Sequence, residues 1–322
     1  EALRHPAEMV RAWALRLAGD QRDLDADLLA SACAMATGEG DAEVRCQVLS
    51  TARRLPPEQS LALVHALASV PSDRDDPYIP LMTWFALEAL CADERDALLA
   101  VLTDPEFWRR PVIAHHIIPR LMRRFAAAGT RRDFLTCARL LELAPDEGAR
   151  AALLGGFEQA FDGRSLPPLP PELARHLGDQ ASLSLRIRRG EPEAVATGLT
   201  LLASPSGAPE QRLAAARALA TTRNEKAQGF FLSLTTGKLP GSPELRRTAL
   251  HSLQQFDDDE LAREICRTYA ALPAPLQPVA LGVLATRSSW ARVLASSVEN
   301  GTIPSAHLDD SVRDRLALHG DE

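Results

Sequence analysis

The sequence predicts an all-α fold in which antiparallel helix pairs stack in a row, and three observations predict it. Of the 322 residues, 53 are Ala and 50 are Leu, against 13 Val and 7 Ile, an excess of helix formers that hardly any sheet protein could tolerate. Apolar residues recur at helical spacing through almost the whole chain. A pattern centred on an arginine also returns at one constant interval in two parts of the chain.

Short segments rich in Pro, Gly, Asp and Ser separate the apolar-periodic stretches and mark the ends of individual helices. Connections this short make consecutive helices antiparallel. The pattern predicts about sixteen to eighteen helices. Those with clear periodicity are 6–18, 24–37, 42–54, 58–69, 79–91, 93–102, 111–128, 131–143, 146–161, 191–203, 209–221, 225–235, 243–255, 258–271, 275–286 and 288–299.

Proline interrupts this pattern near the middle of the chain. Residues 163–180 contain prolines at positions 167, 168, 170 and 171 and therefore cannot be the interior of a helix. We expect a long surface connection here, with a Pro-rich part at 163–171 between an N-terminal array, 1–162, and a C-terminal array, 172–322. Both arrays are expected to belong to one continuous solenoid.

Four arginines carry the repeat, and each lies in the first or second turn of a predicted helix, after a Pro or Asp at the helix start and an early Glu. They are Arg11, Arg45, Arg212 and Arg246, and the interval between the first two equals the interval between the last two. Small or aliphatic residues three and four positions later let a paired helix approach closely. The arginine itself can reach a carboxylate on a neighbouring repeat. This is typical of degenerate helical repeats of the HEAT or armadillo kind, so we expect an α-α superhelix of about eight helix pairs.

Charge and cysteine usage narrow the functional classes. A net charge of −7 and a pI near 5.7 argue against a nucleic-acid-binding protein, which normally carries a basic footprint. No apolar run is long enough for a transmembrane segment, and the first residues resemble neither an initiator nor a signal peptide, so we expect a piece of a longer protein. The five cysteines lie far apart in helical stretches, which is typical of small buried residues rather than of a metal site or disulfide framework: positions 33, 46, 91, 137 and 266.

Four segments resemble a known family. They are Asp76–Glu88 (DPYIPLMTWFALE), Asp104–Ile113 (DPEFWRRPVI), Arg120–Thr130 (RLMRRFAAAGT) and Arg287–Leu294 (RSSWARVL). These segments are similar to the HEAT-like region of large multidomain proteins that are abundant in planctomycetes and verrucomicrobia. Such proteins are described as membrane-bound dehydrogenases of the haem-binding CxxCH type. The resemblance covers most of the chain, from the first predicted helix to the last.

The resemblance implies which domains would flank this chain. In that family a β-propeller similar to glucose or sorbosone dehydrogenases precedes the helical array, a c-type cytochrome module follows it, and the protein is periplasmic or otherwise extracytoplasmic. The present sequence contains no Cys-x-x-Cys-His and nothing similar to a propeller. The resemblance therefore implies haem c for the parent protein and no cofactor for this segment. The implied partners are the flanking propeller and cytochrome domains of the same chain, or other proteins.

Two residue pairs could carry chemistry. His115 and His116 are adjacent on a predicted helix and so point about 100° apart, with no histidine or carboxylate four residues on to complete a ligand set. Surface or inter-helix hydrogen bonding is therefore favoured over a metal or haem ligand. Trp84 and Glu88 share a helix face, where a buried Glu88 could act as an acid or base. The favoured alternative is that Glu88 pairs with a repeat arginine or a loop while Trp84 fills a gap between helices.

An arginine-rich stretch is the candidate interaction patch. Arg120, Arg123 and Arg124 are expected on one helix face, opposite an apolar stripe, with a kink at Pro119. Ion pairing within the chain or to a neighbouring domain is favoured first, and a protein partner second. Nucleic acid comes last, because few aromatic residues are interleaved with the arginines. The patch comprises Arg109, Arg110, Arg120, Arg123, Arg124, Arg131 and Arg132.

Two further motifs have structural explanations. The four acids from Asp257 to Glu260 lie at the start of a predicted helix, where carboxylates cap free N–H groups, and this is favoured over a cation site. Gly155 and Gly156 lack the strand, the spacing and the lysine of a phosphate-binding loop.

The expected function is a non-catalytic scaffold that links a sugar-dehydrogenase-like propeller to a c-type cytochrome. Two alternatives remain open from the residues alone. One is a helical-repeat enzyme similar to DNA glycosylases, with Glu88 or an aspartate as its acid. The other is a free-standing adaptor that binds a peptide along its inner face.

Overall fold

The computed structural model describes residues 1–178 and 181–319. This part of the chain contains twenty α-helices, several short 3-10 helices, one π-helical turn and no strand, so the predicted all-α fold is confirmed. Helices α1 to α11 are Glu8–Ala18, Ala26–Gly38, Ala42–Ala52, Pro57–Leu67, Ile79–Glu88, Arg95–Val101, Pro105–Trp108, Ile118–Ala128, Arg131–Leu143, Glu147–Ala160 and Pro171–Leu177. Helices α12 to α20 are Leu183–Arg188, Pro192–Ala203, Pro209–Thr221, Glu225–Thr235, Pro243–Ser252, Asp259–Thr268, Gln277–Leu284, Ser288–Glu299 and Asp310–Leu318.

The described chain divides into two compact units. The N-terminal unit comprises residues 1–161 and 167–178, and the C-terminal unit comprises residues 162–166 and 181–319. The N-terminal unit therefore holds α1 to α11 and the C-terminal unit α12 to α20. The division falls in and around the Pro-rich stretch. The expected continuity of the two arrays stays a prediction.

Helices of the N-terminal unit alternate between two rows. In one row α1 contacts α3 and α3 contacts α5, while in the other α2 contacts α4 and α4 contacts α6. The two rows are joined where α3 packs against α4 and where α8 packs against α9. Further along, α8 contacts α10 and α9 contacts α11. This alternation is the arrangement of helical-repeat superhelices, in which each pair buries its apolar faces against the next.

The C-terminal unit repeats the same arrangement. Its first row runs from α12 through α14 and α16 to α18, and its second row includes the neighbours α13 and α15, with α17 packed beside α19. Ala, Leu and Ile side chains fill most of the space between the rows, together with the large rings of Phe231, Tyr269 and Trp290. The predicted α-α superhelix class is thus confirmed, with small residues allowing close helix contacts and leucines filling the core.

Short polar residues and prolines begin the helices, as the sequence predicted. The carboxylates of Asp25, Asp41 and Asp146 each accept a hydrogen bond from the N–H group three residues later. A cap of this kind contributes about 1 kcal/mol. In α4, α13, α14 and α16 a proline occupies the first turn. N–H groups in the first turn have no partner within the helix, so proline's lack of an N–H costs no hydrogen bond there.

The long connection expected at 163–180 is wrong in part. Residues 179–180 lie outside the described residues, but Pro171–Leu177 forms α11. Pro171 is the first residue of this helix, where the fixed φ of proline suits the helix and its N–H is not needed. The prolines therefore exclude a helix only up to Pro170. Helices α7 and α12 were not predicted either, because four and six residues are too few to show a helical period.

A π-helical turn lies directly before Pro119, where the sequence predicted a kink, and turns of this kind are a common cause of helix kinks. Residues Ile113–Ile117 are π-helical, and the N–H of Ile118 donates to the carbonyl oxygen of Ile113. In an unbroken α-helix the N–H of residue 119 would bond the carbonyl of residue 115, but proline has no N–H and its ring would collide with that carbonyl. One wider turn avoids the collision. The apolar stripe predicted for this segment is fully buried.

Helices α8 and α10 pack against each other at a glycine. A Cβ atom added to Gly156 would lie 2.2 Å from the carbonyl oxygen of Pro119. The same addition to Gly155 would meet nothing within 4 Å. Both glycines lie inside α10, and Gly156 allows the close contact with α8.

Replacing Gly156 by Ala is expected to destabilise the fold, because the new methyl group overlaps the Pro119 carbonyl. Overpacking of this kind costs about 1–3 kcal/mol. Gly155→Ala is the matched control and is expected to stabilise the chain by up to about 1 kcal/mol, since alanine favours a helix more than glycine does. Urea denaturation measures both free energies of unfolding. Equal effects of the two substitutions would contradict the close contact.

Candidate functional site

Arginines near the start of one row of helices bind across the boundary between repeats. In α1, Nε and Nη2 of Arg11 donate to the two carboxylate oxygens of Glu39 at 2.7 and 2.8 Å, 28 residues further along the chain. Nη1 donates to the carbonyl oxygens of His5 and Pro6, which lead into α1. The hydrogen bond between the two side chains raises the pKa of Arg11 and lowers the pKa of Glu39. One guanidinium group thus joins three chain segments.

Arg45 repeats this contact one repeat later. Its Nη2 donates to Asp73 at 2.7 Å, again 28 residues further along, and its Nη1 donates to the carbonyl oxygens of Glu39 and Gly40 before α3. Both side chains are buried. Burial raises the pKa of Asp73, although its hydrogen bond with Arg45 acts in the opposite direction. The prediction that repeat arginines reach a carboxylate on a neighbouring repeat is confirmed for Arg11 and Arg45.

The two aligned arginines of the C-terminal unit have different acceptors. Nη2 of Arg212 donates to the carbonyl oxygens of Leu202 and Pro240 at 2.8 and 2.7 Å, and Pro240 again lies 28 residues further along. Nε of Arg246 donates to the carbonyl of Gly241, which precedes its own helix. The expected carboxylate is thus replaced by backbone oxygens. Leu202 lies in the last turn of α13, where the helix dipole favours a cation, although burial lowers the pKa of Arg212.

A further buried arginine contact was not predicted. Arg95, the first residue of α6, donates to Asp133 at 2.8 Å and to the Thr136 hydroxyl at 3.0 Å. Its guanidinium also lies 4.8 Å from the ring centroid of Phe125. Asp133 is held by the Thr130 hydroxyl, which donates to its other oxygen. Arg95 and Asp133 do not follow the spacing of the four repeat arginines, so the repeat pattern did not reveal them.

Trp84 and Glu88 lie on α5, and both are half-buried. Glu88 faces Arg124 of α8, with 3.7 Å between the carboxylate and Nε. Glu88 thus faces a patch arginine and not one of the four repeat arginines with which the sequence analysis expected it to pair. The interaction is partly exposed and weak in energy, because ion pairs in contact with water contribute about 0–1 kcal/mol.

Most members of the predicted arginine patch contact other parts of the N-terminal unit. Arg110 donates to the His65 carbonyl and to the Ser69 hydroxyl of the α4 region, and burial lowers its pKa. Arg131 pairs with Glu172 of α11 at 3.3 Å, and Arg109 pairs with Glu106 in the preceding turn. Arg120 donates to the carbonyl one turn before it, on the His116 backbone.

Two members of the patch have a different environment. Arg123 on α8 and Arg132 on α9 are exposed, and within residues 1–178 and 181–319 neither has an ion-pair partner. Helices α8 and α9 are packed neighbours. These two guanidinium groups are therefore exposed members of the patch that have no internal ion pair to break when they meet another molecule. An interaction role for the patch stays a prediction.

His115 and His116 both lie in the π-helical turn, and their side chains have different surroundings. Nε2–H of His116 donates to the carbonyl oxygen of Arg74 at 2.8 Å, which is the inter-helix hydrogen bonding that the sequence favoured. His115 is exposed and borders a 320 Å³ hollow next to Trp108 and Asp146. In the described part of the chain, no group of three or more His, Cys, Asp or Glu side chains is placed to hold a metal ion.

The four acids at 257–260 serve as predicted. Asp258 accepts a hydrogen bond from the N–H of Glu260 at the start of α17. Asp257 pairs with Arg287 at 3.1 Å, and Glu260 pairs with Arg263 within the helix. Three of the four carboxylates thus have separate partners: one caps the helix and two form ion pairs.

The cysteines do not fit the attachment of a c-type haem, which needs two cysteines and a histidine in one Cys-x-x-Cys-His segment. The five thiols lie apart along the chain, and three of them, Cys91, Cys137 and Cys266, are buried. Burial raises the pKa of Cys91 to about 12 and that of Cys46 to about 11. These groups are protonated packing residues at neutral pH.

Comparison with models of protein families, with curated protein sequences and with solved structures finds no match to this chain. The resemblance to the dehydrogenase-associated arrays therefore rests on the four segments quoted above. Separately, none of the helices within residues 1–178 and 181–319 has the length and apolar character needed to cross a membrane.

Breaking the buried pair at a repeat boundary is expected to cost far more than breaking an exposed one. Arg45→Met removes a buried guanidinium and leaves Asp73 unpaired, which costs about 3–5 kcal/mol. Arg139→Met is the matched control, because Arg139 pairs with Glu142 at 2.8 Å within α9, both side chains are exposed, and such pairs contribute about 0–1 kcal/mol. Chemical denaturation compares them, and similar losses would show that burial of the pair is unimportant.

Acid is expected to weaken the first repeat boundary through Glu39. Because its folded pKa lies below the ordinary 4.5, the ionised carboxylate contributes stability that is present above about pH 4.5 and is lost as the pH falls through the lowered folded pKa. The difference in unfolding free energy between wild type and Glu39→Gln should therefore shrink on acidification. Glu43→Gln, at an exposed position on α3, should show no such trend. A difference that stays constant with pH would contradict the role of the ion pair.

Proposed function

We propose that this chain is a non-catalytic helical-repeat scaffold that holds the domains on either side of it at a fixed separation. The observation that carries the proposal is the recurrence of one arginine contact across repeat boundaries. Arg11, Arg45 and Arg212 each bind an acceptor 28 residues further along the chain. Such a contact resists sliding of one helix pair against the next, most strongly at Arg45, where breaking the buried ion pair with Asp73 leaves an uncompensated charge at a cost of about 3–5 kcal/mol.

The use of the candidate chemical groups supports the same function. Glu88 faces Arg124, His116 bonds a backbone carbonyl, and Asp258 caps a helix. Each of these side chains contributes to the packing of helices or to a helix terminus. A scaffold needs stiffness within each repeat and across each boundary, and these contacts supply it.

The family resemblance suggests which domains the scaffold would separate. We propose a sugar-dehydrogenase-like β-propeller on one side and a c-type cytochrome on the other, in an extracytoplasmic redox protein. Haem and the substrate would then belong to the flanking domains, and this chain would set the distance between them. Electron transfer falls steeply with distance, so a stiff spacer has a direct effect on its rate.

The exposed arginines offer a contact for such a domain. Arg123 and Arg132 lie on neighbouring helices and carry positive charge on a chain whose net charge is −7. An acidic surface on a flanking domain would be attracted to this position, with a contribution that decreases as salt is added. This contact would orient the domain, whereas the helical array sets its distance.

The proposal is tested first on the coding sequence around this segment. A propeller before it and a Cys-x-x-Cys-His module after it are expected. In that longer protein, replacing residues 1–322 by a flexible Gly/Ser linker should strongly slow reduction of the haem by the sugar substrate, measured by stopped-flow absorbance. Arg45→Met should slow it to a smaller extent by loosening one repeat boundary.

The control is Arg139→Met in the same protein, which should leave the haem reduction rate unchanged. A linker variant that retains the wild-type rate would contradict the spacer function. If the flanking sequence encodes neither module, the redox part of the proposal is wrong, and stiffness of the array is then tested by the stability measurements on Arg45 alone.

A further inference from the structure

Large apolar side chains are exposed together on one helix, α1. Met9, Val10, Trp13 and Leu17 all lie on it, and Trp13 and Leu17 are 51% and 62% exposed. Their even spacing, one helical turn from Met9 to Trp13 and another from Trp13 to Leu17, places them along one face of the helix. Exposed apolar residues scattered singly are normal, whereas a contiguous stripe marks an interaction surface.

The next repeat contains the equivalent helix face, on α3, and its environment can be compared with that of α1. Aligning Arg11 with Arg45 places Val44, Gln47 and Thr51 of α3 at the positions of Val10, Trp13 and Leu17. Val44 and Thr51 are buried there, with Thr51 at 0% exposure, and Gln47 is half-buried. One face of a helix is therefore covered in the second repeat and uncovered in the first.

The helix that covers this face of α3 is α1 itself. The Thr51 hydroxyl donates to the carbonyl oxygen of Leu15 at 3.3 Å, and Arg54 donates to the carbonyl of Arg16 and to Asp20. The contact is close, since a Cβ atom added to Gly19 would lie 2.6 Å from Cγ2 of Thr51. The α1–α3 interface thus defines how a helix lies on this face.

The residue at one aligned position is larger on α1, whose face is exposed, than on the equivalent helices, where this position is buried. The residues six positions after the four repeat arginines are Leu17, Thr51, Ala218 and Ser252, and the last three are small and buried. Of these four helices, only α1 has leucine there, alongside Trp13 and Met9. A ridge of large side chains fits a partner that presents small residues opposite it, because the distance between packed helices is set by the side chains at the contact.

We propose that the face of α1 formed by Val10, Trp13 and Leu17 is the docking surface for an amphipathic α-helix of an adjoining helical repeat, which lies on α1 as α1 lies on α3. The occupant runs parallel to α1 and presents small residues towards Trp13 and Leu17. Arg16, whose guanidinium lies 5.2 Å from the Trp13 ring centroid, supplies positive charge at the rim for an acidic residue of that helix. This inference goes beyond the scaffold function and does not depend on the dehydrogenase resemblance.

The first test supplies an adjoining repeat of known sequence. A copy of residues 5–38 is placed directly before His5, in place of Glu1–Arg4, so that the arginine of the copy and Arg11 keep the interval that separates Arg11 from Arg45. The copy carries Trp13→Phe, so that the original Trp13 reports on coverage. We expect the copy to fold, with a gain of helix in circular dichroism and a higher thermal midpoint, and acrylamide quenching of the original Trp13 to fall.

Matched variants assign the effect to this face. Leu17→Glu in the original α1 should leave the added copy unfolded and Trp13 accessible. Leu318→Glu, at a position that is also highly exposed but lies on α20, should leave docking intact. An added copy that stays unfolded on the unsubstituted face would overturn the proposal.

A second measurement distinguishes a further repeat from a second copy of the chain. Sedimentation equilibrium of the 322-residue chain is expected to show a monomer. A dimer that Leu17→Glu dissociates would assign the face to self-association and overturn the proposal.

The natural occupant is tested by oxidation of tryptophan with N-bromosuccinimide. In the protein as its source produces it, Trp13 is expected to be oxidised much more slowly than in the isolated chain, while the half-buried Trp84 should react equally in both. Equal oxidation of Trp13 in the two preparations would show that nothing covers the face and would refute the proposal.

Discussion

Buried and half-buried guanidinium groups at the boundaries between repeats are the interactions on which the rest of this structure depends. Taking a charge out of water is costly, and the loss is offset only when the donors find acceptors in good geometry. Arg11 and Arg45 find them in two places at once: the carbonyls that lead into their own helix and a carboxylate 28 residues further along. Each side chain therefore positions a helix start, the preceding loop and the next repeat together. Moving any one of these segments would leave buried donors unpaired.

The same constraint explains why the C-terminal unit uses backbone oxygens. Arg212 lies between the carbonyls of Leu202 and Pro240, and its buried Nε has no hydrogen-bond partner in the described part of the chain. A carbonyl near a helix C-terminus carries partial negative charge, so it can replace a carboxylate at a smaller desolvation penalty. The position of the arginine is therefore retained between units while the chemistry of its acceptor changes. The arginine donor recurs at the same place in each repeat, and the acceptor oxygens at each boundary come from the segments that are present there.

Much of this fold could be predicted from the sequence, because helix propensity and apolar period are local properties. The excess of Ala and Leu excluded sheets, and the arginine spacing identified the repeat before any contact was known. What the sequence could not reveal depends on the third dimension. The Arg95–Asp133 pair lies outside the regular spacing. The π-helical turn at 113–117 follows from Pro119 only when the helix continues through the proline, and α11 follows from Pro171 only when that proline is a first residue. The arginine patch was visible as a charge cluster, but only the fold separates Arg110, which binds inside the unit, from Arg123 and Arg132, which face water.

The division between internal and external arginines bears on function. A guanidinium group that is bound to backbone carbonyls or to a buried carboxylate cannot serve a ligand without releasing its structural contact, so Arg45 and Arg95 are unavailable for recognition as long as the array is folded. Recognition must instead use groups that helix packing leaves exposed, and the N-terminal unit includes two such sets: the exposed arginines of α8 and α9 and the apolar stripe of α1. The two sets act through different interactions and lie in different places. Charge attracts over a Debye length of about 10 Å and orients a domain before contact, whereas an apolar stripe contributes only when water is expelled from a fitted surface. A scaffold that is extended at one edge by stacking and that orients a neighbouring domain by charge needs both.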